Sequence, residues 1–155
     1  MIREFEQYHG VVLRDLIVKS QVPLTISARD EVGRINSFSV NDDVGLHIKH
    51  CSNRLAPWAY TFTPENFAEI EWLASHVRSL WIALVCGCNG VVALNLDEFL
   101  TLTNSDDGRT RFIRIDRDRR TMYRVHGNAG KLGSAKPRGV AAILADVIRS
   151  GSPQC

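Results

Sequence analysis

The chain has 155 residues, 45% hydrophobic and 23% charged, the balance of one ordinary folded domain rather than of a disordered segment. No apolar run approaches the roughly 20 residues that span a bilayer, and the longest, Leu80 to Cys86, is strand length. The net charge of +2 hides an asymmetry: residues 1–102 carry 8 Lys and Arg against 12 Asp and Glu, a net −4, whereas residues 103–155 carry 11 against 5, a net +6.

In chain order, residues 3–19 predict a helix, with Phe5, Tyr8, Val12, Leu16 and Lys19 on one side and Leu13 and Ile17 widening the stripe. Pro23 stops it. Leu24 to Arg29 alternates and is β-branched, hence a strand. A turn follows at Asp30 to Gly33. Arg34 to Val40 alternates again, with Ile35, Ser37 and Ser39 opposite Phe38 and Val40. Asn41, Asp42 and Asp43 turn the chain, because short polar side chains bond their own backbone there. Val44 to His50 is a third strand, with Leu46, Ile48 and His50 on one face and His47, Lys49 and Cys51 on the other.

Ala59 to Phe62 reads as a further short strand. Thr63-Pro64 starts a helix that runs to about residue 77, threonine capping and proline filling the first helical position. Leu80 to Cys86 is apolar on both faces, which is how a central strand reads. Gly87 to Gly90 is a turn, Val91 to Leu94 returns, and Asn95 caps a short helix with Asp97 and Glu98 in its first turn. After a loop at residues 104–108, Arg111 to Arg117 and Thr121 to His126 form a hairpin with Ile113, Ile115, Tyr123 and Val125 inward. Residues 126–139 are a glycine- and lysine-rich loop. Residues 140–149 form a last apolar helix stopped by Gly151, and the tail from Ser152 to Cys155 is expected to fray. The fold class is therefore α/β (α+β): a mixed, largely antiparallel sheet with packed helices. It forms one domain over residues 1–155, with an αβββαβ core order and then further strands.

That order, helix, three strands, helix, strand over the first 86 residues, is similar to the core of the restriction-endonuclease-like, or PD-(D/E)XK, nucleases. The resemblance covers about half the chain and is one of topology. It implies a divalent metal held by carboxylates, with an acid-x-lysine triplet on the third strand activating water. Carried over, Lys49 stands in the lysine place, His47 where an acid is expected, Asp43 in the preceding turn, and Glu6 on the first helix. These four, Glu6, Asp43, His47 and Lys49, are the candidate catalytic residues. Histidine for glutamate suits zinc or manganese better than magnesium. No cofactor is expected otherwise; magnesium or manganese enters only with the nuclease reading. The segments Glu4 to Gly10, Ile48-Lys49 and Leu84 to Gly87 also resemble small bacterial proteins to which no function attaches.

The bland alternatives are definite. His47 and Lys49 would be polar residues on the wet face of a half-exposed strand. Zinc at His47, His50, Cys51, Cys86 and Cys88 is opposed by spacing, since Cys86-Gly-Cys88 is tighter than C-x₂₋₄-C and His47 and His50 point to opposite faces. A Cys86–His47 nucleophile pair lacks any feature that would lower the thiol pKa. The Gly127, Gly130, Gly133 run fails the phosphate-loop pattern at both ends.

The basic second part is the better functional signal. Arg111, Arg114, Arg119, Arg120, Arg124, Lys131, Lys136 and Arg138 are the candidate nucleic-acid-binding residues, with Arg114 and Arg124 facing away from the apolar side of the hairpin. Asp116 and Asp118 interleave and could neutralise them, and the hairpin offers no row of exposed aromatics. The expected partner is DNA or RNA. The alternative is an oligomerisation or protein-interaction module docking through an exposed patch at Trp58 and Tyr60, with no enzymatic activity. An acidic, amphipathic N-terminus and unpaired cysteines point to a cytoplasmic protein without a membrane partner.

Overall fold

The computed structural model describes residues 1–29, 35–104 and 108–151, except the side chains of 150 and 151. The expected turn at 30–33, Arg34, most of the 104–108 loop and the tail from residue 152 lie outside the described residues. Within them the order is α1 (Glu4–Lys19), β1 (Ile26–Ala28), β2 (Ser37–Val40), β3 (Val44–Cys51), β4 (Trp58–Phe62), α2 (Pro64–Ala74), β5 (Ser79–Cys86), β6 (Gly90–Asn95), α3 (Leu96–Thr103), β7 (Arg111–Asp116), β8 (Arg124–Gly127), β9 (Gly130–Lys131) and α4 (Ala141–Gly151). This is an α+β fold, as the alternation of sequence periods implied.

The expected single sheet is two. The first has strand order β1-β2-β3-β5-β6; the second is β4-β7-β8-β9. β3 and β5 run parallel over eight pairs, from Val44 opposite Ser79 to Cys51 opposite Cys86, and every other pairing is antiparallel. The split follows from side-chain period. β5 is apolar at every position after Ser79 and sits inside the first sheet between β3 and β6, covered on both faces. β4 alternates, with Trp58, Tyr60 and Phe62 buried and Ala59 and Thr61 exposed, so it has a wet face that a sheet interior cannot supply. The chain between β3 and α2 therefore steps out of the first sheet and becomes the edge of the second.

Two cores result, one on each face of the first sheet. On one face Val12 and Leu16 of α1 and Val140, Ile143, Leu144 and Val147 at α4 meet Leu46, Ile48, Trp81, Ala83 and Val85. On the other, α2, α3 and the inner face of the second sheet close over Leu80, Ile82, Leu84, Cys86, Val92 and Leu94. Trp58 and Tyr60 belong to this second core at 1% and 2% exposure, so the apolar docking patch expected there does not exist.

Local chemistry sets the helix starts. The Thr63 hydroxyl accepts from Asn66 N, and the Asn66 side chain accepts from Thr63 N, closing a reciprocal cap at α2. Asn95 and Glu98 do the same at α3. α2 ends at Ala74, three residues short of the expected end, where Ser75 N turns back to the Glu71 carbonyl. α2 also lies unusually close to β3. A Cβ on Gly45 would stand 2.9 Å from Val77 Cγ2 and 3.1 Å from Leu73 Cγ, so glycine there sets the helix-to-sheet distance. On α1, Ile17 and Lys19 face solvent and His9 is buried instead, its ring edge-on to Phe5 and Phe38. The stripe is rotated slightly from the one the apolar residues alone define.

Candidate nucleic-acid interface

The outer face of the second sheet is solvent-exposed. The registers Ala59 opposite Arg114, Arg114 opposite His126 and His126 opposite Lys131 set one row across all four strands. Strands lie about 4.8 Å apart, so Arg114 and Lys131 stand about 10 Å apart along this row. A second short row pairs Asp116 with Arg124. On the other flank Thr61 is opposite Phe112, a residue 53% exposed, and the Phe112 amide donates to Asn128 Oδ1 at 2.6 Å. Phe112 takes the outward side of a strand whose alternate residues, Ile113 and Ile115, fill the core. The face thus offers an aromatic ring, two arginines, a lysine and a histidine.

The acidic residues on the face temper its charge, as their interleaving implied. Arg114 lies 3.4 Å from Asp116, His126 3.9 Å from the same carboxylate, and Arg124 3.4 Å from Asp118. All are exposed or partly so, where such pairs contribute little and yield readily to a stronger anion.

The remaining candidate cations divide. Arg119 and Arg120 are exposed on the β7–β8 turn, and Lys131 is exposed on β9. Arg111 shares the inward parity of Ile113 and Ile115 and is half-buried, so it does not join the outer row. Lys136 leaves the set: its amine sits 3.0 Å from both carboxylate oxygens of Glu98 and ties the loop to the first turn of α3. Arg138 is folded over the β5–β6 turn, its Cδ 2.5 Å from where a Cβ on Gly90 would stand. Phe112 and His126 were missed as site residues. Parity would have found both, since each shares the outward side of its strand with Arg114 or Arg124.

The four candidate catalytic residues are not brought together. Glu6 is on α1, on the far side of the first sheet from His47 and Lys49, and its carboxylate accepts from Arg3 N at 3.0 Å as the α1 cap. Asp43 accepts from Arg78 Nε at 2.8 Å, and the same guanidinium reaches the Asp146 carboxylate at 3.1 Å. That carboxylate also receives Ser79 Oγ and Trp81 Nε1, anchoring α4 to β5. Burial raises the pKa of Asp146, but the donors from Ser79, Trp81 and Arg78 outweigh it and hold the group below the usual carboxylate value.

His47 is not on a wet face. It is fully buried under α2, because β3 lies between two strands with a layer on either side. Its Nδ1 lies 3.0 Å from Ser37 Oγ, and its Nε2 has no hydrogen-bond partner among the described residues. Burial, then the charges of Lys49 and His9, push its pKa down to about 3, so the ring is neutral. The Lys49 amine donates to the Thr61 carbonyl and to Asn66 Oδ1 at 2.9 Å, and lies 4.6 Å from the centre of the Phe62 ring. Burial lowers its pKa to about 8, against the opposing charge of Glu69. This lysine bridges β3, β4 and the cap of α2.

No group of three or more His, Cys, Asp or Glu among the described residues is placed to hold a metal ion. Cys86 is buried and accepts from the Tyr60 hydroxyl at 3.1 Å. Burial raises its pKa to about 12, the opposite of what a nucleophile needs. Among the described residues no helix is long and apolar enough to cross a membrane. Comparison with protein-family models, with curated proteins and with solved structures returns no match.

Proposed function

We propose that this chain is a nucleic-acid-binding domain that does not cut its ligand, and that it holds a single strand on the outer face of the second sheet. The observation that carries the reading is the in-register row of Arg114, His126 and Lys131 with exposed Phe112 beside it. Single strands are held where cations track the phosphates and an aromatic face stacks a base. The first sheet's own elements, α1, β1 to β3, α2 and β5, with β5 parallel to β3 and β4 diverted to the second sheet before α2, suit a nuclease-like ancestry. The dispersal of Glu6, Asp43, His47 and Lys49 favours the non-catalytic form.

The test is a filter-binding titration of labelled single- and double-stranded DNA and RNA at two salt concentrations, with magnesium or manganese in parallel tubes. Single strands bind, affinity falls steeply with salt, and Arg114→Ala with Arg124→Ala lowers the logarithmic salt slope by about 1.4, at about 0.7 for each phosphate contact removed. Binding indifferent to salt refutes the reading. Cleavage lost on Lys49→Ala restores the metal nuclease.

A further inference from the structure

The β7–β8 turn faces the loop before β4 across an open groove of about 510 Å³. Its walls are Leu55, Ala56 and Trp58 on one side and Arg117, Arg119 and Arg120 on the other, with Asn89 at one end. The three guanidiniums differ in how they are held. Arg117 is fixed: Nε donates to the Thr121 carbonyl at 2.6 Å, Nη1 donates to Asn89 Oδ1 at 2.6 Å, and the group stacks 4.7 Å from the centre of the Tyr123 ring. Its Nη2 carries no hydrogen bond among the described residues, so one edge of a rigid fork is left open. Arg119 and Arg120 are exposed and have neither an ion pair nor a side-chain hydrogen bond among the described residues. Asp118, the acid in the same wall, is paired with Arg124 at 3.4 Å.

Three guanidiniums line one groove against a single acid, Asp118. A phosphodiester, with one charge, does not need so many donors. A phosphate monoester carries about −1.5 to −2 at neutral pH and presents three acceptor oxygens, which suits two or three planar forks. Arg120 points the same way. It holds a left-handed backbone conformation, φ 63°, which disfavours a residue with a Cβ, and yet an arginine stands there. The opposite wall is apolar, with Leu55 73% exposed in front of the buried Trp58, a surface for a sugar or base and not for a second phosphate.

We propose that this groove is a phosphate-monoester site, and that its ligand is the phosphorylated end of the strand held on the adjoining sheet. The monoester chemistry stands on the groove alone; the strand end as its source rests on the function proposed above. The test compares 8-mers carrying a 5′-phosphate, a 3′-phosphate or neither, with inorganic phosphate and a nucleoside monophosphate as competitors, at one fixed salt concentration. One phosphorylated end binds at least about tenfold tighter than the unphosphorylated oligomer. Arg119→Gln with Arg120→Gln removes that increment, so that the phosphorylated and unphosphorylated oligomers then bind alike, and it leaves the melting temperature unchanged, since both side chains are exposed. Equal binding of all three oligomers, abolished by Arg114→Ala with Arg124→Ala, overturns the groove and leaves the sheet face standing. A nucleoside monophosphate that binds dependent on Arg119 and Arg120, with no oligomer bound, keeps the monoester site but overturns the strand end and the sheet face. No binding of any probe overturns both.

Discussion

His47 makes stability depend on pH in a calculable way. The residue is fully buried and its folded pKa lies at about 3, against 6.5 for an exposed imidazole. In the unfolded chain it binds a proton as pH falls through 6.5; in the folded protein it does so only near pH 3. The unfolded state therefore gains protons first, and the contribution is whole above pH 6.5 and lost progressively as pH drops toward 3. Each unit of that window costs about 1.4 kcal/mol. Moving from pH 7 to pH 5 removes about 2 kcal/mol through this one group, a large part of the 5–15 kcal/mol that holds a domain together. The comparison is His47→Asn, whose amide can keep the bond to Ser37 without titrating. Urea unfolding of both proteins at pH 7, 6 and 5, at fixed ionic strength, isolates the residue from His9 and His50, which titrate in both. The variant's free energy should fall about 2 kcal/mol less between pH 7 and 5 than that of the parent. Parallel pH profiles would refute the burial argument and return His47 to the pool of accessible ligands.

Three further outcomes follow from contacts already described. Phe112→Ala should weaken single-strand binding by about 1–3 kcal/mol while leaving the salt slope unaltered, since it removes a stacked ring and no charge; a changed slope would mean that the sheet face itself had rearranged. Asp146→Asn should lower stability by about 1.5–3 kcal/mol at neutral pH by weakening the charge-assisted bonds from Arg78, Ser79 and Trp81. Because the carboxylate is held below its usual 3.8, the parent loses this contribution as pH falls through and below that value, and thermal melts of the two proteins should converge in acid. Gly45→Ala should cost about 1–3 kcal/mol by forcing Leu73 and Val77 off β3, and an unchanged melting temperature would show α2 free to move outward.

Most of the elements were legible because they rest on local signals. Thr63-Pro64 and Asn95 announce helices by side-chain capping, and Leu80 to Cys86 announces a buried strand by having no polar face. The partition into two sheets was harder, although the alternation of Trp58, Tyr60 and Phe62 against the uninterrupted β5 contains it. Recognising it requires asking what covers each face. His47 was misplaced for the same reason: the pattern His47-Ile48-Lys49 alternates, but β3 has α2 above one face and α1 above the other, and burial comes from these distant segments. The outward arginines were legible by parity. The loss of Lys136 to Glu98, 38 residues away in sequence, was not.

The lysine that a nuclease pattern would make catalytic has a negative role to play. β4 is the last strand of its sheet. Thr61 stands opposite Phe112, whose amide is turned toward Asn128 on the β8 side, so the Thr61 carbonyl points away from its own sheet. A carbonyl at a sheet margin is a template for another chain, and strand-by-strand growth is how folded proteins become fibres. Here the amine of Lys49, rooted in a different sheet, already occupies that carbonyl. The β4 margin of the second sheet is stoppered from within at that carbonyl, and the protein can keep a five-residue, apolar-faced strand at this boundary without inviting a neighbour to extend it there.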